Sequence, residues 1–316
     1  MLSRIADSLY WMSRYLERAD GTARLVEINL THLLEAEDAL PEAAEWKPLL
    51  VICGHEALYG ERMGTSEPTA ARVTEFMTRE ASNPGSIRAS LRLARENARV
   101  VRDRISKEMW EGLNEVWLRS EERLERAPGP EYYRWLRSEV ARFHGLTVST
   151  MMRGEAFGFY LLGFFLERAD MTCRLLDVKY HLLLPDLSLV GSPLDYYQWA
   201  ALLRSLSGFE AYRRKHQLLR PLDVAEFVIL DPDFPRSLRF AVDRMQQALV
   251  GIGATAARSE ALAAVAELAR QLEKSDADGL FQRGLHEFLG EVLARVSRLH
   301  EALASEYFEA HLGERA

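Results

Sequence analysis

Apolar residues recur at alternating spacings of three and four along the start of the chain: Leu9, Met12, Leu16, Ala19, Ala23, Val26, Leu30 and Leu33. That period places all of them on one stripe of a helix running about seven turns. The pattern returns as Phe159, Leu162, Leu166, Ala169, Cys173, Leu176, Tyr180 and Leu183. The two series are centred on nearly identical segments, LERADGTARL at 16–25 and LERADMTCRL at 166–175, which agree at eight of ten positions. No β-branched run with a period of two stands out, so no strand is predicted.

Helix punctuation is frequent instead. Breaks are expected near Pro41, at Asn83-Pro84, through Ala127 to Pro130, at Leu184-Pro185-Asp186 and through Asp231 to Pro235. Ser192-Pro193 with Asp195 reads as a helix start: a Ser N-cap, proline in the first turn and an early acid. Two weaker similarities run in the same order as the first. Trp46, Leu49, Leu50, Gly54, Glu56 and Ala57 resemble Trp199, Leu202, Leu203, Gly208, Glu210 and Ala211. Ser90-Leu91-Arg92-x-Ala94 resembles Ser237-Leu238-Arg239-x-Ala241. The expected architecture is an all-α, internally duplicated helical bundle. Its pseudo-twofold related halves, 1–152 and 153–316, are expected to pack as one compact body; two copies make a duplication, not a solenoid.

The 316 residues are 48% apolar and 28% charged, a globular balance with ample core. A net charge of −7 argues against nucleic acid as a partner, while leaving room for a local anion site. Cys53 and Cys173 lack metal-ligand spacing and read as core thiols in a reducing compartment. Charges among the first residues interrupt any signal-peptide core, and the apolar run from Phe157 to Leu166 is too short to span a bilayer. A cytoplasmic location without a membrane span is expected.

A polar line lies beside each apolar stripe. Tyr10, Glu17, Asp20, Arg24 and Glu27 share one helix face, and Tyr160, Glu167, Asp170, Arg174 and Asp177 repeat it. Arg18 and Arg168 lie about 100° further round. Half-buried charge demands partners. One reading is structural, with Asp20–Arg24 and Asp170–Arg174 as i,i+4 ion pairs. The other is a cleft at the interface of the halves, where Glu17 and Glu167 act as acid/base or metal-binding groups and the arginines bind an anion.

A second polar feature is confined to the first half. Arg88, Arg92, Arg95, Arg99 and Arg102 follow one another at spacings of four and three, beside a stripe from Ile87 to Ile105. Of these, only Arg239 remains in the second half. An acidic small molecule or peptide held by Arg92, Arg95, Arg99 and Arg102, with Asn97 orienting it, accounts for the asymmetry. Pairing with Glu96 and Asp103 is the structural alternative, and a surface amide the simpler role for Asn97. Several chemistries lack their motifs: no Glu-x-x-His pair, phosphate-binding loop, dinucleotide fingerprint, Gly-x-Ser-x-Gly or His-Glu-x-x-His is present. No metal site is expected, and no cofactor is indicated.

The segments from Leu2 to Ala19, Ala94-Arg95-Glu96-Asn97-Ala98-Arg99, Met109-Trp110-Glu111-x-Leu113-Asn114, Phe165 to Thr172 and Phe234-Pro235-Arg236-Ser237 together resemble the bacterial alpha-E domain family. The resemblance covers nearly the whole chain. It implies a helical protein that accompanies an ATP-grasp ligase-like protein, often with a transglutaminase-like one nearby, in the making of a peptide or amide-linked product. The expected function is therefore an accessory or ligand-binding component of such a system, with homo-oligomers possible. An enzyme using the paired Glu-Arg motifs and a structural dimerisation scaffold are the alternatives.

Overall fold

A computed structural model of the chain describes residues 1–35, 42–64, 67–182, 193–255, 257–276, 279–280, 282 and 284–308. Among them are 14 α-helices, a closing π turn and no strand. The chain divides into two compact units: a first one, Met12–Met151, and a second one joining Met1–Trp11 to Met152–Ala316. Helix α1 (Ser3–Glu35) contributes its first turns to the second unit and its remainder to the first.

The first unit continues with α2 (Glu42–Ile52), α3 (Glu56–Met63), α4 (Ala70–Thr78), α5 (Ile87–Val100), α6 (Lys107–Arg123) and α7 (Pro130–Thr150). The second contains α8 (Glu155–Leu182), α9 (Pro193–Ser205), α10 (Phe209–Lys215), α11 (Pro221–Leu230), α12 (Leu238–Gly251), α13 (Glu260–Lys274) and α14 (Leu285–Leu303). Helices α8, α12, α13 and α14 pack in a closed ring around a common core. Gly158 lets α12 approach α8 closely, since a Cβ there would collide with Ile252. In the first unit α5, α6 and α7 pack in succession.

The predicted stripes are the cores. Leu9, Met12, Leu16, Ala19, Ala23 and Val26 are buried, as are Phe159, Leu162, Leu166, Ala169, Cys173 and Leu176. Leu30 is half-buried, and the side chains of Leu33, Tyr180 and Leu183 lie outside the described residues. So do the predicted breaks at Pro41 and Leu184–Asp186, and Ser192; α9 begins at Pro193 with Asp195 in its first turn. The breaks at Asn83-Pro84 and Asp231–Pro235 fall between helices, as do residues 127–129, and Pro130 opens α7.

Serine hydroxyls set four helix starts. Ser86, Ser106, Ser237 and Ser259 accept the backbone N–H three residues on, opening α5, α6, α12 and α13. These caps correct the sequence register. Ser237 shares its capping role with Ser86, not Ser90, and each cap follows a proline two residues earlier, Pro84 and Pro235, one turn before the segment matched by residue type. A second correction concerns α2 and α9. Both end in a Schellman turn, with His55 N–H bonding Leu50 O and Gly208 N–H bonding Leu203 O at 2.7 Å each. The left-handed residues are Gly54, at φ 70°, and Ser207, at φ 54°, so it is Ser207, not Gly208, that takes the place in its turn that Gly54 takes in the other. A third concerns α5, which stops at Val100, leaving Arg102 in the turn that leads to the Ser106 cap. An apolar stripe continuing to Ile105 concealed this end, because Val101 and Ile105 remain buried in the turn.

Candidate functional site

The polar line on α1 is buried and answered from α7. Glu17, 3% exposed, lies 3.8 Å from the His144 imidazole, an ion pair when that ring is protonated. Asp20 accepts from Arg24 at 2.6 Å. Glu27 is bridged by Arg137, with Arg134 at 3.4 Å. Buried carboxylates require this compensation. Arg18 is half-buried with its guanidinium over the Tyr15 ring, 5.6 Å from the centroid. Tyr10 belongs to the other unit, where its hydroxyl meets His300 Nδ1 at 2.9 Å.

The equivalent line on α8 is answered differently. Tyr160 stacks between Phe157 and Phe164. Glu167 is buried. Arg168 lies over Phe164 at 4.0 Å and donates to Pro235 O at 3.2 Å, which ties α8 to the loop before α12. Arg174 binds Asp170 through two hydrogen bonds of 2.8 and 3.2 Å. Asp177 takes a 2.7 Å hydrogen bond from His286 at the start of α14, and this contact raises the imidazole above its ordinary pKa. The pKa of Cys173 is pushed well up by burial, consistent with a core thiol. Glu17 and Glu167 thus occupy separate units, each within its own helical packing.

The arginine row on α5 divides into two roles. Arg88 crosses to α6 and holds Glu121 in a two-point ion pair at 2.8 and 2.7 Å. Arg239 makes the corresponding crossing in the second unit, reaching Glu273 on α13 at 3.6 Å. The one arginine with a counterpart is therefore an interhelical strut. The remaining four have none: 151 residues further stand Asp243, Gln246, Val250 and Gly253.

Arg92, Arg99 and Arg102 are exposed and Arg95 is half-buried, and Arg95 and Arg102 flank Trp110. Arg95 donates to Asn114 Oδ1 at 2.8 Å and to Glu96 at 3.2 Å. Arg99, 65% exposed, donates to the other oxygen of Glu96 at 3.0 Å. The Arg95 and Arg102 guanidiniums lie 5.9 and 5.3 Å from the Trp110 ring centre. Arg92 is exposed and makes no ion pair among the described residues. Asn97 turns back on its own helix, donating to Leu93 O at 2.9 Å, so its amide is already engaged. Guanidiniums held in this way present free N–H edges to carboxylate or phosphate.

Sequence reasoning missed His144, Arg134, Arg137, His286 and His300, the partners of the polar lines. It also missed Asn114 and Trp110 as supports for the arginine row. Trp110 and Asn114 fall four residues apart on α6, which puts both on one face, a signal that the sequence does carry. Among the described residues no three His, Cys, Asp or Glu side chains gather as a metal-ligand set, and no helix is long and apolar enough to cross a membrane.

These features, a helical chain with a Glu-Arg pair on the long helix of each unit and the glutamate buried in both, define an all-α protein that carries the dipeptide twice. Residues 1–308 match the model of the Alpha-E family, described as a predicted alpha-helical domain with a conserved ER motif, and the chain belongs to that family. No curated protein and no solved structure matches it.

Proposed function

We propose that this protein is an accessory, ligand-binding component of an ATP-grasp-linked system that forms or modifies peptide or amide bonds. In this reading Arg92, Arg95, Arg99 and Arg102 receive an acidic peptide. The observation that carries it is the confinement of those four arginines to one unit, whereas the strut Arg88 recurs as Arg239. Arg95 is anchored on α6 through Asn114, but Arg92, Arg99 and Arg102 stand exposed to solvent, and such a cationic face fits an anionic ligand. The ATP-grasp partner, a transglutaminase-like neighbour and a cytoplasmic location rest on the family resemblance. The parallel caps, Schellman turns and struts support an ancestral duplication.

Two measurements test the reading. The full chain should co-purify with an ATP-grasp protein encoded beside it, and lack of association at high protein concentration counts against the accessory role. It should also bind pentaglutamate in a salt-sensitive manner. Arg95→Ala and Arg99→Ala should each weaken that binding about three- to tenfold; indifference to both favours a dimerisation scaffold.

A second reading is an enzyme with Glu17 as its acid/base group, favoured by the buried carboxylate beside an imidazole 3.8 Å away. Glu17→Gln and Glu167→Gln separate the two readings. Lost pathway output in a folded variant supports chemistry, and lost stability with unchanged output ends it.

A further inference from the structure

Glu96 is placed oddly for a structural acid. It sits in the middle of the basic row, and its two oxygens bridge Arg95 and Arg99, at 3.2 and 3.0 Å. Both contacts stay within α5, so the bridge ties no helix to another. Arg88–Glu121, Arg95–Asn114 and Arg95–Trp110 join α5 to α6 in this region, and none of these contacts involves Glu96. The bridge is open to water, with Glu96 39% exposed, so its exchange for another carboxylate costs little. In the second unit, 151 residues further, the position holds Gln247, and no arginine pair stands beside it. The carboxylate occurs where there are two guanidiniums for it to occupy.

Resting on the acidic-peptide reading above, we infer that Glu96 is a resident competitor for the Arg95–Arg99 pair. A glutamyl or aspartyl carboxylate of the incoming peptide takes its place between the two guanidiniums. The row fits a chain better than a lone small molecule. Arg92 to Arg99 spans about 10 Å at the α-helical rise. Alternate side chains of an extended peptide repeat at about 6.8 Å, so two or three successive acidic side chains match the row. Arg92, exposed and without an ion partner among the described residues, takes the next carboxylate along. Displaced Glu96 swings into solvent, and no covalent bond changes.

The test uses the full chain and fluorescein-labelled pentaglutamate, followed by anisotropy at low ionic strength. Glu96→Gln should tighten binding about fivefold, since the competing carboxylate is gone while the shape is kept. Asp103→Asn, a nearby exposed acid that pairs with Arg104, is the control for a bulk field effect and should change affinity less than about twofold. Arg92→Ala and Arg99→Ala should weaken binding in both backgrounds. An equal gain from Asp103→Asn overturns the inference, because field alone then explains it. Unchanged or weaker binding by Glu96→Gln, with the arginine variants still weakened, overturns the competitor role and leaves the acidic-peptide reading standing. If the peptide ignores Arg92→Ala and Arg99→Ala, the reading of the row itself falls. Free glutamate binding as tightly as pentaglutamate replaces the peptide with a small carboxylate and also overturns the inference.

Discussion

The two units use the same devices with different outcomes at their surfaces. Tyr59 meets Phe76 edge-on at 5.2 Å in the first, and Tyr212 meets Phe227 edge-on at 5.6 Å in the second. Arg142 reaches Glu115 across α7 and α6, and Arg295 reaches Glu267 across α14 and α13. The cap Ser106 is gripped by Thr150, and the cap Ser259 by Glu306 of the π turn. Where the units agree, the contact joins helices. Where they differ, in the arginine row and in the partners of the polar lines, the fold leaves the choice open. A shared contact therefore marks scaffold, and an unshared exposed cluster marks the region free to take on a ligand.

The largest test of this comparison is at the core. Leu16→Ala and Leu166→Ala each remove a side chain only 1% exposed and should cost about 2–5 kcal/mol in urea unfolding. Closely similar losses fit equivalent packing, and a disparity of several kcal/mol breaks the equivalence. Next is the polar line. Arg137→Ala leaves Glu27, buried between helices, without its main partner and should cost about 2 kcal/mol, less than a fully enclosed pair because Arg137 is 25% exposed. His286→Ala, which removes the exposed partner of Asp177, should cost under about 1 kcal/mol. Smaller still is the Schellman pair. Gly54→Ala should cost about 1 kcal/mol at a left-handed residue, and Ser207→Gly should return a similar amount.

The smallest effect is a pH dependence in the second unit. Asp177 raises the pKa of His286 in the folded protein. The stability this gives is therefore fully present below the unfolded-state value of about 6.5. It is lost as pH rises through the folded value. An imidazole NMR titration should place His286 above the usual range, and Asp177→Asn should return it there.

The sequence made the helices legible because their signals are local. A three-four apolar spacing, a serine before a helix and a proline between two helices each act within a few residues. The same locality misled where two near-equal local patterns competed. Ser90-Leu91-Arg92 resembles Ser237-Leu238-Arg239 by residue type, but only the hydroxyl that caps a helix identifies Ser86 as the equivalent. The arginine row was visible as a period, while its division into the strut Arg88 and the exposed remainder was not. Glu121 lies 33 residues from Arg88, and nothing local connects them.

By itself, then, the sequence determined the all-α class, the two long core stripes, the buried edge on which Glu17 and Glu167 lie, and the asymmetry of the arginines. Only the tertiary structure decided which charges are neutralised and by what. His144 is 127 residues from Glu17, and Arg137 is 110 from Glu27, so each pairing depends on how α7 packs against α1. Burial makes a carboxylate find a cation, but chain-distant packing chooses the cation. The same packing left Arg92, Arg99 and Arg102 facing water.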